Sequence, residues 1–142
     1  MSAPAERGFA TLAVAQAPVV TAPDGASVQV LLSLPGGSMA TFTLQPGQVS
    51  AAVAHRTVEE LWYVLAGRGR MWRRDAAREE IVALEPGLCL SVPLGTAFQF
   101  RCDGGAPLVA VAVTMPPWPG EGEAVAVEGA WEAAVPGAGR GA

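Results

Sequence analysis

The chain has 142 residues, of which 51% are hydrophobic and 15% charged, with a formal charge of −4 and a pI near 4.9. The length fits one domain with a sizeable core, and the acidic balance argues against a nucleic-acid partner, which normally meets a basic face. No stretch approaches about 18 uninterrupted apolar residues, so no membrane span is expected.

The N-terminus, "MSAPAERGFATLAVAQAP", carries Glu6 beside Arg7 and does not read as a signal peptide. Residues 1–26 are rich in Ala and Pro, with short edge strands expected at 10–14 and 18–21. "SVQVLLSLP" (27–35) alternates, which predicts a strand with Val28, Val30, Leu32 and Leu34 on one face. After the turn "PGGS" come "MATFTL" (39–44), the turn "QPGQ", then "VSAAVAH" (49–55), "ELWYVLA" (60–66) and "RGRMWRR" (68–74). Further strands are predicted at 79–84, 88–92, 97–102 and 108–115, separated by "EPG", "PLGT" and "DGGAP". Short strands punctuated by Gly/Pro turns predict an all-β sandwich or closed barrel. The core is expected over about residues 27–115. The tail, 116–142, is rich in Pro and Gly, which excludes a long regular element. Trp118 is expected against the barrel, and the last ten residues are expected to be disordered.

All nine basic residues are arginines, and Arg68, Arg70, Arg73, Arg74 and Arg78 fall within eleven positions. Two readings stand for that cluster: a solvated hairpin, or a pocket rim that attracts an anion. The lack of lysine excludes Schiff-base chemistry through a side chain. Cys89 and Cys102 form no framework or CxxC motif, so the expectation is a cytoplasmic protein with reduced thiols.

Two spaced motifs follow. Gly47 is followed by five residues, then Val53-x-His55, four residues, Glu60, six residues and Gly67. Gly87 is followed by five residues, then Pro93-x-Gly95, two residues, Phe98, three residues and Cys102. This pair resembles the two motifs of the cupin superfamily, with spacing kept throughout. In that pattern histidines stand where this chain has Val53 and Phe98, and an asparagine stands at Cys102. The resemblance implies a double-stranded β-helix, a jelly-roll-like barrel, in one domain. It also implies a metal site of three histidines and one carboxylate, of which only His55 and Glu60 remain. The expectation is therefore no cofactor, since metal sites normally supply three or four protein ligands. A divalent metal on the His55 and Glu60 remnants is the third reading.

Side chains alternate along a strand, so Glu60 facing inward brings Trp62 and Val64 with it, and Phe98 brings Phe100. These residues with Val53 are the candidate ligand-binding wall, or ordinary core. Gln99 and Arg101 should point outside the barrel. His55 and Glu60 are either a satisfied hydrogen-bonded pair or an acid/base dyad, as in the metal-free cupins that epimerise sugar nucleotides. Two function classes stand: a metal-independent small-molecule-binding barrel acting as sensor, carrier or accessory protein, and a cofactor-free isomerase, epimerase or cyclase using His55 and Glu60. Exposed edge strands suggest a homodimer.

Overall fold

The computed structural model of the protein describes residues 8–135. Its strands are β1 (Val19–Thr21), β2 (Ser27–Leu34), β3 (Gly37–Leu44), β4 (Val53–His55), β5 (Glu59–Ala66), β6 (Gly69–Arg74), β7 (Glu79–Leu84), β8 (Cys89–Val92), β9 (Ala97–Cys102), β10 (Leu108–Met115) and β11 (Ala124–Ala126). They form a six-stranded sheet in the order β1-β2-β3-β10-β5-β8 and a five-stranded sheet in the order β11-β4-β9-β6-β7. All pairings are antiparallel. Among the described residues, no helix is long and apolar enough to cross a membrane.

The inner faces of the two sheets meet in one core. Trp62 and Val64 of β5, with Ala110 and Ala112 of β10, face Phe98 and Phe100 of β9 and Met71 of β6. Residues at i and i+2 share a face, which is why these strands read as alternation in the sequence. Glycine is required at Gly67, where φ is +86° and a side chain would run into the Pro107 carbonyl at the corner between β5 and β6.

Four expectations change. The first concerns strand extents: residues 10–14 form no strand, with a short 3-10 turn at Val14–Gln16 before β1, and of the strand expected at 49–55 only Val53–His55 forms. In β2 the register against β3 shifts between Val30 and Ser33. One extra residue reverses the alternation, so Leu32 and Leu34 are exposed while Leu31 and Ser33 turn inward. The third change concerns β9. Gln99 does face away from the barrel interior, yet it is 1% exposed, because the tail runs over that side of the five-stranded sheet. The fourth concerns the tail itself: Val127 N–H donates to the Ala52 carbonyl, and Val49 and Ala134 exchange two backbone bonds. Ala134, within the expected disordered terminus, is thus paired to the barrel; residues 136–142 lie outside the described residues, as do residues 1–7.

A second apolar cluster forms beneath this strap, with Trp72, Ala52 and Ala97 buried against Val127 and Trp131. Gln99 fastens it. Its Nε2 donates to the Ser50 and Trp131 carbonyls, both at 2.8 Å, and its Oε1 accepts from the Ala130 and Trp131 amides, both at 3.0 Å. Both donors and both acceptor positions of the amide are used. Replacing Gln99 with Ala leaves buried backbone groups unpaired and should lower stability by about 1–3 kcal/mol. Urea unfolding of Gln99→Ala measures this, and an unchanged midpoint would contradict the role given to the side chain.

Candidate functional site

Between the sheets, at the end where β4 begins the second sheet, lies a cavity of about 420 Å³. Val53 and His55 enter it together because they stand two apart on β4. Phe98 faces Val53 directly in the β4–β9 register. Glu60 arrives from β5, opposite Thr114 of β10. Val53, His55, Glu60 and Phe98 thus line one cavity. Trp62, Val64 and Phe100 do not line it. They are 3%, 0% and 1% exposed and fill the core beneath it, because their positions on β5 and β9 lie further from the open end.

His55 and Glu60 are not a hydrogen-bonded pair. Nδ1 and Oε2 are 4.0 Å apart, too far for a hydrogen bond. Glu60 takes its hydrogen bond elsewhere: Trp62 Nε1 donates to Oε1 at 2.9 Å, and Thr114 stands across the β5–β10 pair from it. Burial pushes the Glu60 carboxyl up to about 7, against the Trp62 hydrogen bond and with the aid of the nearby Asp24 charge. The His55 side chain is 6% exposed, although its backbone is more open. Burial lowers its pKa, opposed by the negative charge of Glu123. Its Nδ1 is buried with no hydrogen-bond partner. The ring lies edge-on to Phe98 at 5.3 Å and to Trp118 at 5.1 Å.

Three polar residues that the motifs did not mark complete the surroundings. Asp24, in the turn between β1 and β2, lines the cavity and is 6% exposed. Its Oδ1 accepts from the Ala26 amide at 3.0 Å. Burial raises its pKa to about 6, against that hydrogen bond. Thr114 lines the same wall. Glu123, in the tail, accepts from the Thr57 amide and hydroxyl at 2.7 and 2.6 Å and from the Val58 amide at 3.0 Å. Burial pushes its pKa up, but those hydrogen bonds outweigh burial and leave it below the ordinary value. "APDGAS" signals only a turn around Asp24, and Glu123 lies 68 residues beyond His55, so no local pattern marks either.

The arginine cluster lies elsewhere. Arg68 pairs with Glu85, Arg70 with Asp103, and Arg73 and Arg78 with Glu80. Arg74 stacks over Trp72 at 5.0 Å. None of the five lines the cavity; Arg73, Arg74 and Arg78 instead line a separate hollow of about 80 Å³ with Asp75, Glu80 and Ser91. Among the described residues, no group of three or more His, Cys, Asp or Glu side chains is placed to hold a metal ion. His55 and Glu60 alone do not make a fitting metal site, since the neighbouring ligand places carry Val53 and the Phe98 ring.

Comparison with known proteins adds the following. The family model described as Cupin domain matches residues 40–114. No curated protein matches the chain. Among solved structures, an uncharacterized conserved protein with a double-stranded β-helix domain from Klebsiella pneumoniae is similar, with 20% identity and a TM-score of 0.63. That match covers 87% of this chain and 98% of that one. The oxalate decarboxylase of Lactobacillus farciminis, in a formate complex, has 17% identity and a TM-score of 0.68 over 80% of this chain and 34% of its own. The capsular polysaccharide assembling protein CapF from Staphylococcus aureus has 18% identity and a TM-score of 0.62 over 78% of this chain. This chain spans only 32% of that protein. At such identities the likeness is one of fold.

The buried Glu60 carboxyl sets a pH dependence. Its folded pKa of about 7 lies above the ordinary 4.5, so the folded state holds the proton more tightly. The stability this gives is full below the ordinary pKa and is lost as pH rises through 7. Asp24 acts with the same sign from 3.8 to about 6; His55, lowered, acts with the opposite sign. Glu60→Gln removes one carboxyl and keeps the other two groups. Between pH 4 and 8, wild type should therefore lose about 2–3 kcal/mol relative to Glu60→Gln. Denaturant unfolding across that range measures the gap, and a gap independent of pH would contradict burial of an ionisable Glu60.

Proposed function

The chain belongs to the cupin domain family, and from that premise we propose that it is a metal-independent barrel that binds a small molecule in the cavity beside His55. One observation carries the reading. A cavity of about 420 Å³, walled by Val53, Phe42, Phe98 and Trp118, holds a buried His55 Nδ1 with no partner. Small-molecule sites are apolar concavities of about 300–1,000 Å³ with a few placed polar groups. A buried polar atom without a partner is costly unless a ligand or water supplies one. Metal independence is argued from the donor set: two ligands remain, and an aromatic ring occupies the place of a third.

A second reading is a cofactor-free isomerase, epimerase or cyclase. It is favoured by the placement of a base and an acid 4.0 Å apart across the cavity, from facing sheets, where burial keeps His55 neutral and holds the Glu60 proton near neutral pH. Binding is preferred because Asp24, Glu60 and Glu123 are each already held by a hydrogen bond from the protein, whereas Nδ1 has no partner.

The protein is further proposed to form a homodimer. β1 is an edge strand with Val19 and Val20 exposed, and Leu61, Tyr63 and Leu65 lie exposed on the outer face of the same sheet. Such edges and apolar faces are normally covered. Light scattering should give the mass of two chains at micromolar concentration; the mass of one chain would overturn the dimer.

Binding is tested with the neutral fluorophore N-phenyl-1-naphthylamine. Its emission should rise and shift to the blue on saturable binding, equally before and after dialysis against a chelator. Ala40→Trp, which places an indole on the cavity wall, should abolish the signal while the protein still melts cooperatively. No binding to wild type would overturn the binding reading, and binding lost on chelation would overturn metal independence.

A further inference from the structure

The charge of the cavity wall narrows the class of ligand, on the reading that the cavity is a binding site. Asp24, Glu60 and Glu121 line it, and among the described residues no lysine or arginine does. Asp24 and Glu60 are 6% and 3% exposed, so no bulk water screens them well. Glu123 stands close enough to act on His55. An anion entering here would meet only negative charge, and no cation of the protein would neutralise it.

The unpartnered nitrogen is the second, independent observation. The His55 side chain is 94% buried, taken from its 6% exposure, and Nδ1 has no hydrogen-bond partner. It is 4.0 Å from Glu60 Oε2. That gap is too wide for a direct bond, yet one donor group set off the line between the two atoms can lie about 2.8–2.9 Å from each. Glu60 Oε1 is already taken by Trp62, which leaves Oε2 facing the gap. The shared group must donate at least twice. A hydroxyl donates once and a water twice but without charge, whereas a primary ammonium donates three times and brings the charge that two buried carboxylates lack. The remaining walls suit it as well. Phe42, Phe98 and Trp118 line the cavity, and aromatic faces attract cations while receiving an apolar body.

We infer that the cavity takes a small primary ammonium ion carried on an apolar body, with its N–H groups shared between His55 Nδ1 and Glu60 Oε2 and its charge matched by Glu60 and Asp24. This role requires a neutral imidazole, which burial favours, with its proton on Nε2 so that Nδ1 accepts.

Three probes of nearly one shape separate charge from shape: 2-phenylethylamine, 2-phenylethanol and phenylacetate, titrated calorimetrically into wild-type protein at pH 7.5. The amine should bind about tenfold or more tightly than the alcohol, as expected when a charge-assisted bond replaces a neutral one, and phenylacetate should bind more weakly than either. In Glu60→Gln the amine-to-alcohol ratio should fall towards one, with Asp24→Asn as a second variant. If the alcohol binds as tightly as the amine, or phenylacetate binds most tightly, the ammonium assignment is overturned while the cavity stands as a binding site. If none of the three binds and the neutral naphthylamine binds, the assignment is again overturned. If the naphthylamine also fails, the binding site itself falls.

Discussion

Trp62 joins the parts of this molecule. Its ring stacks on Phe42 of the same sheet at 5.0 Å and meets Phe100 and Phe98 of the opposite sheet edge-on at 5.0 and 6.1 Å. Its indole N–H donates to Glu60 Oε1. A buried indole needs a hydrogen-bond partner, and a buried carboxyl needs donors. The two residues sit two apart on β5 and therefore share a face. The apolar half of Trp62 closes the core, while its polar edge fixes the carboxyl at the floor of the cavity. Core packing and site geometry are thereby one constraint, and a change in either sheet at this level is felt by Glu60.

The two ends of the ligand frame differ in what replaced a donor. Val53 and Phe98 face each other across the β4–β9 pair, at places that histidines take in the family pattern the sequence resembles. Two apolar side chains there extend the hydrophobic wall up to His55 and leave its Nδ1 without a partner. The same replacement favours a dry site. Desolvation raises Glu60 and Asp24 and lowers His55, so each group resists the charge it would carry in water.

The tail supplies what the barrel lacks. It covers the outer face of the five-stranded sheet through Gln99, Trp72 and Trp131, and it brings Glu123 to the loop after His55. Trp118 closes on His55 from the same segment. Arg70 and Arg101 flank the Trp131 ring at 5.5 and 5.3 Å and both pair with Asp103. The arginines thus clasp the strap on the outside, which accounts for part of a basic cluster that contributes nothing to the cavity.

Strand positions from β3 to β10, apart from the short β4, were legible because alternation and Gly/Pro turns are local signals. Spacing also sufficed to bring Val53, His55, Glu60 and Phe98 to one point, since the frame of the motifs is the frame of the barrel. Alternation told which side of β9 Gln99 faces, but not that the far side is covered, for that depends on a strap about 30 residues away. It failed in β2, where one extra residue reverses the pattern. It gave Trp62, Val64 and Phe100 the right face but left wall and core undecided, because period says nothing of distance from the open end. Asp24, Thr114 and Glu123, and the contact of Trp118 with His55, were decided only in three dimensions. Each reaches the site through a turn, a cross-strand neighbour or the tail, and the burial of Asp24 and the hydrogen bonds of Glu123 involve residues far off in the chain.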